Sequence, residues 1–336
     1  MPKPSESPDA IEALARQALA HWGLEQAKLA LHVQSENAVF RVEAPGGDVY
    51  ALRVHRDGYH DLAELESEHV WTAELARAGL PVPDAVSTRA GEPYATVAFG
   101  STATRHVGLV KWIDGVALSD FLKASGEPSE VVRCFEQLGR LIAGFHDCTE
   151  KWTPPPGFRR HAWDTDGLVG EHPFWDRFWE IRAATDADRS RLLRIRNVVH
   201  ERLSALDRGP DVYGMIHADL HANNVLVDGE RLSVIDFDDA GFGWYVFDLA
   251  VALYDRLDVF HHSNPHFAAA RDALFEGYGA VRPLSAEQRE LFPLFLLIRA
   301  LMLLRWTEDR PETGMQELMP LFLKLAFEQA DGLGLD

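Results

Sequence analysis

The sequence changes its periodicity once, near residue 115, and that change limits the folds open to it. Before it, Val39-Phe40-Arg41-Val42 and Val49-Tyr50-Ala51-Leu52-Arg53-Val54 are short β-rich runs around Pro45-Gly46-Gly47-Asp48, which reads as a hairpin. The pattern predicts a helix over 61–78, ended by Gly79 and Pro81-Val82-Pro83, and strands over 94–99 and 107–112. A leading helix at about 9–22, capped by Ser7 or Asp9, is predicted from Ile11, Leu14, Ala15, Ala18, Leu19 and Trp22 at helical spacing before Gly23. After Asp114-Gly115 the texture is helical to the end, clearest over 131–148 and 291–305, except around 212–238. These patterns predict an α+β chain of two unlike lobes, 1–110 and 111–336. A ligand cleft is expected where they meet.

Composition agrees. At 336 residues, 46% hydrophobic and 25% charged, the chain has material for a sizeable core and is not of the disordered type. Its 33 basic against 52 acidic side chains give −19, which disfavours nucleic acid as a partner, since phosphate backbones need clustered Lys and Arg. Two cysteines, Cys134 and Cys148, are no disulfide framework and suit a reducing compartment. The N-terminus shows no charged-then-apolar leader. The apolar stretch 291–304 is interrupted by Pro293 and Arg299 and falls short of the ~20 residues of a membrane helix. The expectation is a cytoplasmic chain with no membrane partner; nothing in the sequence speaks to oligomeric state.

The chemistry concentrates in 214–239. Val225–Val227 and Leu232–Ile235 flank Asp228-Gly229, a strong hairpin signal. A hairpin brings its outer ends together, so Asn224 and Asp236 should face one small volume, with Asp219 on the loop leading in. An amide oxygen and a carboxylate are hard ligands suited to Mg²⁺, and a further carboxylate can take or orient a hydroxyl proton. A solvated Asp-rich turn would not explain why these side chains sit where apolar strands stop. His217-x-Asp219-x-His221 also fits a two-metal hydrolase, but that needs a second cluster. The only other histidine group, His261-His262 and His266, reads better as a surface loop.

His217-x-Asp219-x-His221-x-x-Asn224, followed by Ile235-Asp236-Phe237, resembles the catalytic and metal loops of the aminoglycoside phosphotransferase and choline kinase superfamily. Gly243 and Asp248-Leu249-Ala250 also fit that pattern, and the resemblance covers roughly 30–310. It implies a protein-kinase-like bilobal fold that binds ATP and Mg²⁺. By the same resemblance, Asp219 is the catalytic base, Asn224 and Asp236 are the Mg²⁺ ligands, His217 supports the loop and Asp248 braces it. Arg53 stands where protein kinases carry a lysine, a departure because the two cations are not interchangeable. Glu68, or failing it Glu64, is its expected ion-pair partner. The phosphate-covering loop is expected near Ser35-Glu36-Asn37-Ala38, without a glycine-rich pattern, and the adenine-reading hinge at Val110 to Ile113, including Trp112.

Trp163, Trp175, Trp179, Tyr254, Trp306 and Glu308 are candidates for an acceptor wall. Arg299 and Arg305 sit in an apolar helix and need partners, for which Asp238 and Asp239 are the candidates. The implied activity is ATP- and Mg²⁺-dependent phosphoryl transfer to an alcohol of a small molecule. The acidity suits an amine, amino acid or amino alcohol. The alternatives are a protein Ser/Thr kinase of the stress-response branch, or a catalytically silent nucleotide-binding protein. Only a few residues separate Asp236 from the helix near Asp248, which leaves little platform for a peptide.

Overall fold

The computed structural model describes residues 7–34, 37–100, 103–254 and 266–335. By internal packing the chain divides into two compact units. The first is Met1–Gly115 with Pro154–Arg159 and Ser233–Asp238; the second is the remainder.

The first unit holds α1 (Pro8–Ala18), β1 (Lys28–Gln34), β2 (Ala38–Glu43), β3 (Val49–Val54), α2 (Leu62–Arg77), β4 (Tyr94–Phe99) and β5 (Ala103–Lys111). The strands form one five-stranded sheet, ordered β1-β2-β3-β5-β4 and antiparallel at every pairing. Along β2 buried and half-buried positions alternate, as the period of two requires, and put Phe40 and Val42 into the core beside Leu52, Val97 and Leu109. Ile11, Leu14, Ala15 and Ala18 of α1 join the same core. Helix α2 opens on a capping box: the Asp61 carboxylate accepts the Glu64 amide at 3.0 Å, and Glu64 returns the favour to the Asp61 amide at 3.1 Å. Its inner face buries Leu65, Glu68, Trp71 and Leu75. The edge strand β1 was not foreseen. It is exposed at all its residues but Leu29, so it lacks the alternation by which a strand is read.

The second unit comprises β6 (Val116–Ala117), α3 (Leu118–Ser125), α4 (Pro128–Lys151), β7 (Ala162–Trp163), α5 (Thr165–Val169), α6 (Asp186–Ser204), β8 (Tyr213–Ile216) and β9 (Val225–Asp228). After β10 (Arg231–Val234), whose last residues belong to the first unit, come β11 (Gly241–Trp244), α7 (Tyr245–Leu253), α8 (Phe267–Gly279), α9 (Ala286–Asp309) and α10 (Met319–Gly332). Two small sheets run β10-β9-β6 and β7-β11-β8. Helices α4 and α8 pack backbone to backbone: a Cβ on Gly139 would stand 2.1 Å from the Leu274 carbonyl oxygen, and one on Gly277 1.9 Å from that of Glu136. Every residue of α7 is buried. Helix α9 extends well beyond the expected 291–305, because a Ser285–Gln288 capping box starts it early and it passes through Pro293. No helix among the described residues is long and apolar enough to cross a membrane.

Candidate active site

Each unit carries its own polar cluster. In the first, β3 delivers Arg53 into a group of carboxylates. Its Nη1 lies 3.6 Å from Glu68 Oε1, Nη2 lies 3.6 Å from Asp238 Oδ1, and Nη2 also bonds Asp236 Oδ1. Glu68 is thus paired with Arg53, while Glu64 is occupied in the α2 cap. Burial works against the charge of Arg53, but Asp236, Asp238 and Glu68 outweigh it and hold the guanidinium firmly protonated. Asp236 has φ +66 and a side chain 45% exposed, and the next residue, Phe237, is pinned edge-on to Trp71 at 5.7 Å between ring centroids.

Asp238 is the deeper acid. Asn37 Nδ2 donates to its Oδ2 at 3.0 Å, His60 Nε2 meets its carbonyl at 2.7 Å, and His55 Nδ1 lies 3.7 Å from Oδ1. Burial would raise the pKa of Asp238; Arg53 and His55 reverse that and hold it well below the usual carboxylate range. Burial lowers the pKa of His55 from 6.5 to about 4, helped by Arg53 and opposed by the Asp238 bond. Asn37 also accepts the Arg56 amide on Oδ1 at 2.9 Å. Ser35 and Glu36 lie outside the described residues. Val110 is in register with Ala51 and bridges to Ala85. The Lys111 amide donates to Asp84 O at 2.8 Å and the Trp112 amide to Val49 O at 3.0 Å, so both donors are engaged within the unit.

In the second unit, Asp219 occupies the loop between β8 and β9. Arg299 Nη2 donates to its Oδ1 at 2.5 Å. His221 Nε2 is 3.4 Å from Oδ2, and Asn224 Nδ2 donates to the Asp219 carbonyl at 2.8 Å and to Oδ2 at 3.3 Å. His221 Nδ1 accepts the Asn223 amide at 3.3 Å, which puts the proton on Nε2, facing Asp219. Burial would raise the pKa of Asp219, but His221 beside Oδ2 and the Arg299 guanidinium win and hold it far below the ordinary value. The loop itself is held from beneath. Buried Asp248 accepts the His217 amide at 3.0 Å and the Ala218 amide at 2.7 Å, and His146 joins it to Tyr278 through bonds of 3.1 and 3.0 Å. His217 is fully buried and its Nδ1 accepts the Asp219 amide at 3.3 Å.

The structure corrects the pairing expected for the α9 arginines. Arg299 meets Asp219, not Asp238 or Asp239; Arg305 meets Asp309 at 2.8 Å, Asp176 at 3.3 Å and Glu308 at 3.7 Å. Six residues on a helix turn through about 240° from one face to another, so one acidic pair could not serve both. Asp238 is taken by Arg53, and the Asp239 carbonyl accepts Trp163 Nε1 at 2.7 Å. Of the expected wall residues, Trp163 is core, and Trp179 packs edge-on to Phe178 at 5.0 Å. Trp306 lies under Arg310, 4.6 Å from guanidinium to ring, and Glu308 holds the amides of Arg182 and Ala183 at 2.5 and 3.3 Å. Trp175 bears on the Asp219 cluster, with the Arg299 guanidinium 5.0 Å from its ring centroid. His261 and His262 lie outside the described residues, and neither Cys134 nor Cys148 is in a disulfide.

His55 and His60 were missed, because lone histidines after a strand carry no spacing signal; Arg299 was signalled by a cation in an apolar helix. Among the described residues no three His, Cys, Asp or Glu side chains converge as a metal cluster. The donor set nevertheless fits Mg²⁺, which takes one or two protein oxygens and completes its shell with phosphates and water. Asn224 spends its Nδ2 on Asp219, which leaves its amide oxygen as a hard donor in the second unit; in the first, Asp236 carries a half-exposed carboxylate of the same kind.

Residues 29–286 match the family model described as "Phosphotransferase enzyme family". A solved structure of a microcompartment-associated aminopropanol kinase is 33% identical, covers 95% of each chain and superposes with a TM-score of 0.80. An amicoumacin kinase solved with AMP-PNP and Ca²⁺ is 18% identical over 96% of each chain, with a TM-score of 0.76. A homoserine kinase from Methylobacillus flagellatus is 28% identical over 245 residues, 72% of this chain and 67% of its own.

Proposed function

Because this chain belongs to the phosphotransferase enzyme family and is a small-molecule kinase-like phosphotransferase, we propose that it moves the γ-phosphoryl group of ATP, with Mg²⁺, to the hydroxyl of an amine-bearing small molecule. The observation that carries the reading is the Asp219 loop. One carboxylate is held ionised and oriented by Arg299, His221 and Asn224, on a turn clamped by Asp248. In this reading Asp219 accepts a hydrogen bond from the acceptor hydroxyl and aims its oxygen at phosphorus. A carboxylate so far below its ordinary pKa is a weak base, so alignment is its first service and proton removal comes late, in keeping with a loose transfer transition state.

Asn224 and Asp236 would hold the Mg²⁺, which when bound neutralises phosphate charge. Arg53, tied to Glu68, would hold phosphate oxygens, and Asn37, fixed on Asp238, would order the adjoining loop. Val110 and Trp112 are the proposed adenine-side hinge, through groups other than the Lys111 and Trp112 amides, which are already bonded to Asp84 and Val49. The names of the relatives, aminopropanol, amicoumacin and homoserine kinases, support a small amine-bearing acceptor over a peptide. The test is ADP release over a panel of amino alcohols, hydroxy acids and a generic peptide substrate, each with and without Mg²⁺. Metal-dependent turnover of a small alcohol and none of the peptide is the expected result; turnover of the peptide alone would overturn it.

A further inference from the structure

Among the described residues, Arg299 is a cation at Asp219 that its surroundings leave unfinished. It rises from a helix stretch that is otherwise apolar and buried, Leu297 to Leu304, and its own side chain is 2% exposed. Nη2 serves Asp219 Oδ1 and the Trp175 ring covers one face of the guanidinium. Nε and Nη1 are buried too, and neither has a hydrogen-bond partner among the described residues. A guanidinium never sheds its charge, and buried charged donors left unpaired are costly. Such a group is kept where something arrives to satisfy it.

We propose that Arg299 is the acceptor-recognition residue of this site, and that the acceptor carries a carboxylate close to its reacting hydroxyl. The inference rests on the reading of Asp219 as the residue that aligns that hydroxyl. Arg299 touches Asp219 directly, so an anion on its remaining donors stands beside the hydroxyl on the same small molecule. Charge favours a carboxylate over a neutral oxygen, since charge-assisted bonds to a guanidinium are about twice as strong as neutral ones. Arg299 also answers the objection that Asp219 would repel such an acceptor: it lies against Asp219 and can bond both anions at once. An amino alcohol without the carboxylate would leave Nε and Nη1 as they are in the free protein.

Two matched pairs test this, each differing in a carboxylate alone: homoserine against 3-amino-1-propanol, and threonine against 1-amino-2-propanol. The wild-type protein should prefer the carboxylated member of at least one pair by about a hundredfold or more in kcat/KM, as sites with dedicated buried donors do. Arg299→Gln should collapse that preference to less than about tenfold, chiefly through KM, and Arg299→Lys should restore part of it, since a single ammonium supplies charge without the planar fork. Calorimetric binding of the same four compounds, with AMP-PNP present, gives a readout independent of turnover. Equal or better use of the amino alcohols by the wild type, or an equal fall in kcat for both members of a pair in Arg299→Gln, overturns the inference and leaves the phosphotransferase reading standing. Arg299-dependent binding of a carboxylated compound, with no ADP release from any of the four, overturns the reading of Asp219 as the residue that aligns that compound's hydroxyl and keeps the anion site.

Discussion

Asp248 holds Ala218 in a conformation that alanine does not choose for itself. Its Oδ1 accepts the Ala218 amide at 2.7 Å, and Ala218 has φ +63, the left-handed region that costs a residue with a Cβ about 1–2 kcal/mol. The strain falls one residue before Asp219, so the buried acid fixes the direction in which the loop presents that side chain. Asp248→Asn removes the charge and sets an amide NH₂ against one of the two backbone donors. It should lower stability by about 1–3 kcal/mol in thermal or urea unfolding. Turnover should fall by up to about a hundredfold, through misplacement of Asp219. A variant as stable and active as the wild type would show that the turn needs no brace.

Asp219→Asn keeps the shape of the side chain and loses its charge. On the proposed roles it should depress kcat by roughly 10²–10⁴-fold while Mg²⁺–AMP-PNP affinity stays near wild type. Asn224→Ala and Asp236→Ala should weaken that affinity as well as turnover. Titration calorimetry on the three variants separates the roles; loss of metal-dependent nucleotide binding in Asp219→Asn would make Asp219 a ligand.

Arg53 faces Glu68, Asp236 and Asp238 together. Arg53→Ala leaves the last of these and Glu68 buried without that cation, and should cost about 3–5 kcal/mol by denaturant unfolding. Arg53→Lys keeps the charge but can follow only one direction at a time. It should recover most of the stability while weakening AMP-PNP binding, because the fork is lost.

The pH dependence follows from His55. Its folded pKa, about 4, lies below the unfolded value of 6.5, so the unfolded chain binds a proton across that window and the folded chain does not. Stability from this group is therefore complete above pH 6.5 and is lost as pH falls toward 4, by at most about 3 kcal/mol at 1.36 kcal/mol per pH unit. Burial lowers the pKa of His146 as well, so its contribution has the same sign. Urea unfolding at stepped pH should show the decline, and His55→Gln should flatten it; an unchanged slope would remove His55 from the account.

Gly277→Ala drives a methyl group into the Glu136 carbonyl, 1.9 Å away, with backbone on both sides. Helices α4 and α8 would have to part, and a loss of about 1–3 kcal/mol is expected, as for overpacked cores. Thermal unfolding checks it, with Gly279→Ala as a control where nothing lies within 4 Å.

The parts that sequence made legible are those whose signal is local. The hairpin at Asp228-Gly229 and the helix opened by Asp61 depend on neighbours in the chain. Glu68 could be named because a helix acid after β3 had few competitors for Arg53. Arg299 shows the limit. Its need for a partner was plain from Leu297-Ile298-Arg299, but Asp219 is eighty residues away, and no periodicity carries information across that separation. The same holds for Asn37 and Asp238, two hundred and one residues apart, and for β1, whose exposure erased the alternation that marks a strand.

The first unit borrows residues 233–238 from far along the chain, and this sets a timetable for its birth on the ribosome. The five strands and α2 are all in place by Lys111, yet Asp236, Phe237 and Asp238 are made only after the whole of 116–232. At about 5–20 residues per second, that is a wait of roughly 6–24 seconds. Until then Arg53 has Glu68 but neither aspartate, Asn37 lacks its carboxylate, and Trp71 has no Phe237 to cover it. A nascent chain paused before residue 233 should hold its sheet and remain soft around Arg53, and a fragment ending at Gly115 should share that weakness permanently. The polar residues that complete the first unit are the last of it to be translated.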